Sequence, residues 1–163
     1  MRSVDSFNFN GKKALIRVDF NVPIDNNIVT DSSRILAAKN TIDKVCNDGG
    51  SCILMSHLGR PNGFQLEYSL SKIVKTVESV LNKKVFFSKD VIGKDAIKKS
   101  SELKQGEVLL LENVRFHNEE TAGGIDFARD LSKLGDCYIN DAFGTAHRAH
   151  SSTTVVAGFF KDK

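Results

Sequence analysis

Seven arginines and four histidines are spread unevenly along the 163 residues, and that unevenness is the first sign of chemistry. Arg34, Arg60, Arg115 and Arg148, with every histidine, fall in or beside four short polar stretches: RVDFNVP, MSHLGRP, LLENVRFH and NDAFGTAHRAHSS. A guanidinium is a planar fork of donors, keeps its charge at physiological pH and sheds water more readily than an ammonium, so it suits phosphate or carboxylate. Several of them at one place repel one another unless an anion lies between them. The last stretch sets His147, Arg148 and His150 among Ala, Gly, Ser and Thr, small residues that let backbone and ligand come close. Asp19 and Asn21 add hydroxyl recognition, because a carboxylate accepts and an amide both donates and accepts. The predicted ligand is small, carries phosphate and carboxylate, and bears a hydroxyl.

Each residue also has a plainer reading. A rim arginine can pair with a neighbouring carboxylate, and Arg17, inside an apolar run, reads as a structural ion-pair partner. His57 can be a satisfied, partly buried histidine, while His117 and Asp141 can serve only their own loops. His147-x-x-His150 lacks the H-E-x-x-H context and nearby cysteines of a zinc site. The chain has no G-x-x-x-x-G-K-[ST], no G-x-G-x-x-G after a strand and no kinase catalytic-loop signature. Histidines crowded by arginines also make poor bases, so no Ser-His-Asp arrangement is read.

Five short apolar runs must position these residues: Ala14–Val18, Cys52–Met55, Val85–Phe87, Val108–Leu111 and Cys137–Ile139. Helical spacing between them is clearest over Ser69–Leu81, where serines at 69 and 71 can cap. Another helix is predicted from about Asp31 or Ser32 to Asn47, stopped by Asp48-Gly49-Gly50, with shorter ones near Asp95–Leu103 and Ile125–Leu134. Alternating strands and helices predict one α/β domain, a three-layer α/β/α Rossmann-like fold with a parallel sheet. Ligands of such sheets sit outside the carboxyl ends of the strands, where four of the five runs deliver the polar stretches. Arg34 is placed in the first turn of a helix, where its charge opposes the helix dipole.

Composition sets outer bounds. A net charge of +3 is too small for a dedicated nucleic-acid binder, and aromatic residues are not interleaved with the arginines as stacking platforms. Three cysteines without C-x-x-C spacing read as free, buried thiols. With no secretion signal or membrane span, a soluble, cytoplasmic protein is expected. The residues alone lead to a phosphometabolite-binding α/β domain.

Taken in order and at these separations, RVDFNVP, MSHLGRP, LLENVRF and NDAFGTAHRAHSS resemble the amino-terminal domain of the phosphoglycerate kinase family, from about Gly11 to Phe160. The resemblance implies that residues 1–163 form the domain that binds 3-phosphoglycerate or 1,3-bisphosphoglycerate in a monomeric glycolytic kinase without nucleic-acid or membrane partners. Mg and ADP or ATP would be bound by a carboxyl-terminal domain absent from this chain, so no cofactor is expected here and the isolated domain should be inactive. Its substrate-binding residues would be Asp19, Phe20, Asn21, Arg34, His57, Leu58, Gly59, Arg60, Arg115 and Arg148. Asp19 and Asn21 would meet the hydroxyl and carboxylate end of the glycerate, and His57, Arg60, Arg115 and Arg148 the non-transferred phosphate. Arg34 would be the catalytic clamp on the phosphoryl group in flight. The alternative is a free-standing, noncatalytic phosphometabolite-binding module, which the length of the native polypeptide would distinguish.

Overall fold

The segment Lys13–Val18 buries five of its six residues, among them Ala14, Leu15, Ile16 and Val18, and a strand apolar on both faces needs a cover on each. In the computed structural model, which describes residues 2–163, it is β1, inside a five-stranded parallel sheet. A small antiparallel hairpin follows, β2 (Ile24–Asp25) and β3 (Ile28–Val29). The sheet proper is completed by β4 (Ser51–Met55), β5 (Val85–Phe87), β6 (Val108–Leu110) and β7 (Cys137–Asp141), in the spatial order β5-β6-β4-β1-β7. β1 therefore pairs with β4 on one side and β7 on the other, with Ile16 beside both Leu54 and Ile139.

Helices cover the two faces separately. α1 (Ser33–Asn47) and α2 (Val74–Leu81) place Ile35, Ile42, Val45 and Val77 against Ala14, Ile16, Val18 and Leu54. On the other face, α3 (Lys94–Glu102) and α5 (Ile125–Ser132) set Ala96, Phe127 and Leu131 against Leu15, Ile53 and Leu109. A single helical turn, α4 (Glu119–Ala122), precedes α5. This is the predicted three-layer α/β/α arrangement.

The differences from expectation are local. The strand expected over Cys137–Ile139 continues to Asp141 because the ladder with β1 runs on to Val18. The helix expected over Ser69–Leu81 opens as a 3-10 turn, Leu70–Ile73, and becomes α-helical only at Val74. Ser69 does cap it, accepting the Ser71 amide at 3.2 Å, while the buried Glu112 carboxylate takes the Leu70 N–H at 2.8 Å. The hairpin was not anticipated: strands of two residues show no periodicity, although Asn26 and Asn27, at φ 50° and 61°, have the left-handed pair that a tight hairpin turn requires. Cys52 and Cys137 are buried free thiols as expected, and Cys46 is half-buried with its sulfur 3.9 Å from that of Cys52. Among the described residues no helix is long and apolar enough to cross a membrane.

Candidate functional site

The loops after β1, β4, β6 and β7 leave the same edge of the sheet and are stitched together by short polar side chains. Ser56, at the end of β4, accepts the Phe20 amide at 2.9 Å and donates to the His57 carbonyl at 3.0 Å. The Asn21 carboxamide oxygen accepts the Gly59 N–H at 2.9 Å, and the Gly59 carbonyl accepts from the Arg115 guanidinium at 3.2 Å. Gly59 thus ties the first, second and third loops together. It stands at φ 62°, and a Cβ there would lie 2.4 Å from the Tyr68 ring, so only glycine fits.

Asn113 performs the corresponding task after β6. Its amide group donates to the carbonyls of Leu58 at 2.8 Å and Tyr68 at 2.9 Å, and its oxygen accepts the Arg115 N–H at 3.0 Å. After β7, the hydroxyls of Thr153 and Thr154 both donate to the Arg148 carbonyl at 2.8 Å, fixing its backbone while its side chain stays exposed.

These supports bring Arg60, Arg115 and Arg148 around one cleft of about 270 Å³, lined also by Pro61, His117, Asn118, Thr121 and His150, with no carboxylate in its wall. None of the three arginines has an acidic partner within ion-pair distance among the described residues, so the plainer ion-pair reading does not describe them. Arg115 feels the crowding: burial lowers its pKa first, and the positive charges of Arg148 and Arg60 lower it further. Its Nε–H and the Nδ1 of His150 are buried without a partner among the described residues. His150 is also held below the ordinary histidine range by burial, Arg115 and Arg148, and His117 by burial. The arrangement can bind a dense anion and cannot offer a strong base.

A second cluster adjoins it. Arg34 lies in the first turn of α1, as expected, and donates to the Asn21 carbonyl at 2.9 Å and the Asp19 carboxylate at 3.3 Å. Among the described residues it is the one predicted rim arginine with an acidic partner, and it does not line the cleft. Phe20 and Leu58 turn their side chains into the core, leaving only their backbone to face a ligand. His147 is exposed and outside the cleft wall, and Asp141 is half-buried with its pKa raised by burial.

Arg17 requires a correction. It is fully buried, as a structural residue would be, but among the described residues no carboxylate lies within ion-pair distance. Its Nε donates to the Ser152 hydroxyl at 2.8 Å, its Nη1 to the Val18 carbonyl and its Nη2 to His57 Nδ1 at 2.9 Å. Ser152 in turn donates to the buried Glu120 carboxylate at 2.6 Å, so the charges communicate through a hydroxyl. The supporting residues Ser56, Glu112, Asn113, Glu120 and Ser152 were not singled out from sequence. Only the Glu112-Asn113 pair, polar residues directly after an apolar run, carried a signal that could have been followed.

The donor set of the rim, guanidinium and imidazole groups, does not fit a magnesium ion, and among the described residues no three His, Cys, Asp or Glu side chains converge on a point.

Comparison with known proteins gives one answer. Residues 4–163 match the family model described as phosphoglycerate kinase. The phosphoglycerate kinase of Porphyromonas gingivalis is 46% identical, covering 97% of this chain and 44% of the relative. That of Dictyoglomus turgidum is 48% identical over 91% of this chain and 38% of the relative. Among solved structures, phosphoglycerate kinase from Coxiella burnetii superimposes with a TM-score of 0.85 at 34% identity, covering 96% of this chain and 39% of that one. The chain spans about two-fifths of the length of the curated relatives it matches.

Proposed function

This chain belongs to the phosphoglycerate kinase family, and from that premise we propose that it is the substrate-binding half of such a kinase, acting in glycolysis. The observation that carries the reading is the cleft in which Arg60, Arg115 and Arg148 converge without a carboxylate between them. In the proposed reaction the acyl phosphate of 1,3-bisphosphoglycerate passes to ADP, giving 3-phosphoglycerate and ATP. Arg60, Arg115 and Arg148 hold, together with His57, the phosphate that is not transferred. Asp19 and Asn21 orient the hydroxyl and carboxylate end. Arg34, now turned to Asp19, clamps the phosphoryl group in transit, where positive charge on its equatorial oxygens lowers the barrier.

Magnesium and ADP or ATP belong, in this reading, to a further domain that the longer relatives have room for, and no step is assigned to them here. The test is an amide NMR titration with 3-phosphoglycerate, with sulfate and ATP in parallel. Shifts confined to residues 19–21, 57–60, 115 and 146–149, at 3-phosphoglycerate concentrations well below the sulfate needed, are expected. An equal response to all three anions would leave a nonselective anion module.

A further inference from the structure

Arg17 is the largest of the fully buried side chains among the described residues, and the proposed phosphoryl chemistry gives it no direct part. A guanidinium has five N–H donors and no acceptor. When its Nη2 stands 2.9 Å from His57 Nδ1, the only hydrogen bond available is one in which the imidazole nitrogen accepts. His57 must then be neutral, with its single N–H on Nε2.

The far ring nitrogen is free to use that proton outward. Nε2 has no partner among the described residues, and it is not one of the three buried atoms left unpaired, which are Arg115 Nε, Asp141 Oδ2 and His150 Nδ1. It therefore keeps contact with solvent although His57 as a whole is only 5% exposed. Arg17 is itself oriented from behind by Ser152, whose hydroxyl accepts from Nε and passes its own hydrogen to Glu120, while the Ser152 amide also donates to that carboxylate. One polar chain thus leads from a buried carboxylate to the rim.

We propose that Arg17 is a positioning residue that fixes His57 as the neutral Nε2–H tautomer, so that the rim meets a phosphate with a donor unchanged across physiological pH. This rests on the reading of the cleft as a phosphate site. The groups facing His57 from every side agree on the sign. Arg17 from β1, Arg115 from the loop after β6, and His150 and Arg148 from the loop after β7 all oppose a positive charge. Burial comes first among these causes, and together they hold the imidazole at about 3. Across the physiological range His57 keeps its charge state while the ligand changes, because a phosphate monoester loses its second proton near a pKa of about 6.

Nitrogen-15 and proton NMR of the His57 ring tests this without ligand. The expected spectrum has an unprotonated Nδ1 and a protonated Nε2 at every pH from 8 down to 5. A proton on Nδ1, or a titration near the ordinary value of about 6.5, overturns the proposal in the unaltered protein, whatever a variant does. In Arg17→Gln, whose amide can accept as well as donate, the tautomers should mix and a titration should appear between pH 5 and 7. The affinity for 3-phosphoglycerate at pH 8 should fall about tenfold. An Arg17→Gln ring spectrum and titration identical to the parent's would remove Arg17 from the role. If the parent shows the assigned tautomer but 3-phosphoglycerate leaves the ring signals unmoved, the phosphate half of the proposal is overturned and the tautomer assignment stands.

Discussion

Arg60 and Arg148 reach the cleft from exposed positions, and their side chains make no hydrogen bond within the protein among the described residues. Nothing in the fold depends on their charge, since the Arg148 backbone is held by Thr153 and Thr154 through its carbonyl. Arg148→Ala should therefore weaken 3-phosphoglycerate binding by roughly 1.5–3 kcal/mol, the range for a hydrogen bond to a charged group, with a nearly unchanged melting temperature. Calorimetric titration beside a thermal melt checks both at once, and unfolding with undiminished affinity would return Arg148 to a structural role. These exposed arginines were readable in the sequence because a cation in a loop of small residues has few other uses. Arg17 was not, because a buried arginine invites the assumption of a carboxylate partner. The sequence separation of 135 residues hid the Ser152 hydroxyl that accepts from its Nε instead.

At the scale of elements, the loop after β6 shows how the sheet hands its geometry to the site. Asn113 is fully buried and spans three segments, reaching Leu58, Tyr68 and its own turn at Arg115. Asn113→Ala strands the buried Leu58 carbonyl and the part-buried Tyr68 carbonyl, and a buried group left unsatisfied costs about 1–3 kcal/mol. Both stability and ligand affinity should fall together, in contrast to Arg148→Ala; denaturant melts and the same calorimetric titration separate the two behaviours. Strands and helices were legible because their apolar runs and three-four spacings reflect burial, as in Val77 and Leu81 of α2. The 3-10 opening of the segment before α2 was not, because it answers to Glu112, 42 residues away from Leu70 in the chain. Propensity and capping rules see only neighbours in sequence.

For the whole molecule, the function proposed above sets the positive cleft on one side of a reaction that needs a nucleotide on the other. The purified chain should form no ATP from 1,3-bisphosphoglycerate and ADP; measurable turnover above a parallel preparation of Arg34→Ala would show that the chain is catalytically sufficient. The sheet order carries a different consequence. Among the described strands of this sheet β1 is made before the others, yet one of its two partners, β7, follows all of them, and Ser152, which orients Arg17, comes later still. At ribosomal rates that interval is on the order of ten seconds. Throughout it, the apolar ladder edge of Ala14, Leu15 and Ile16 is without its β7 partner and open to pairing with other chains, and Arg17 lacks the hydroxyl that orients it. The buried guanidinium thus ties the arginine cleft to a residue made 135 positions later: the rim acquires its final shape only once the segment through Ser152 has left the ribosome.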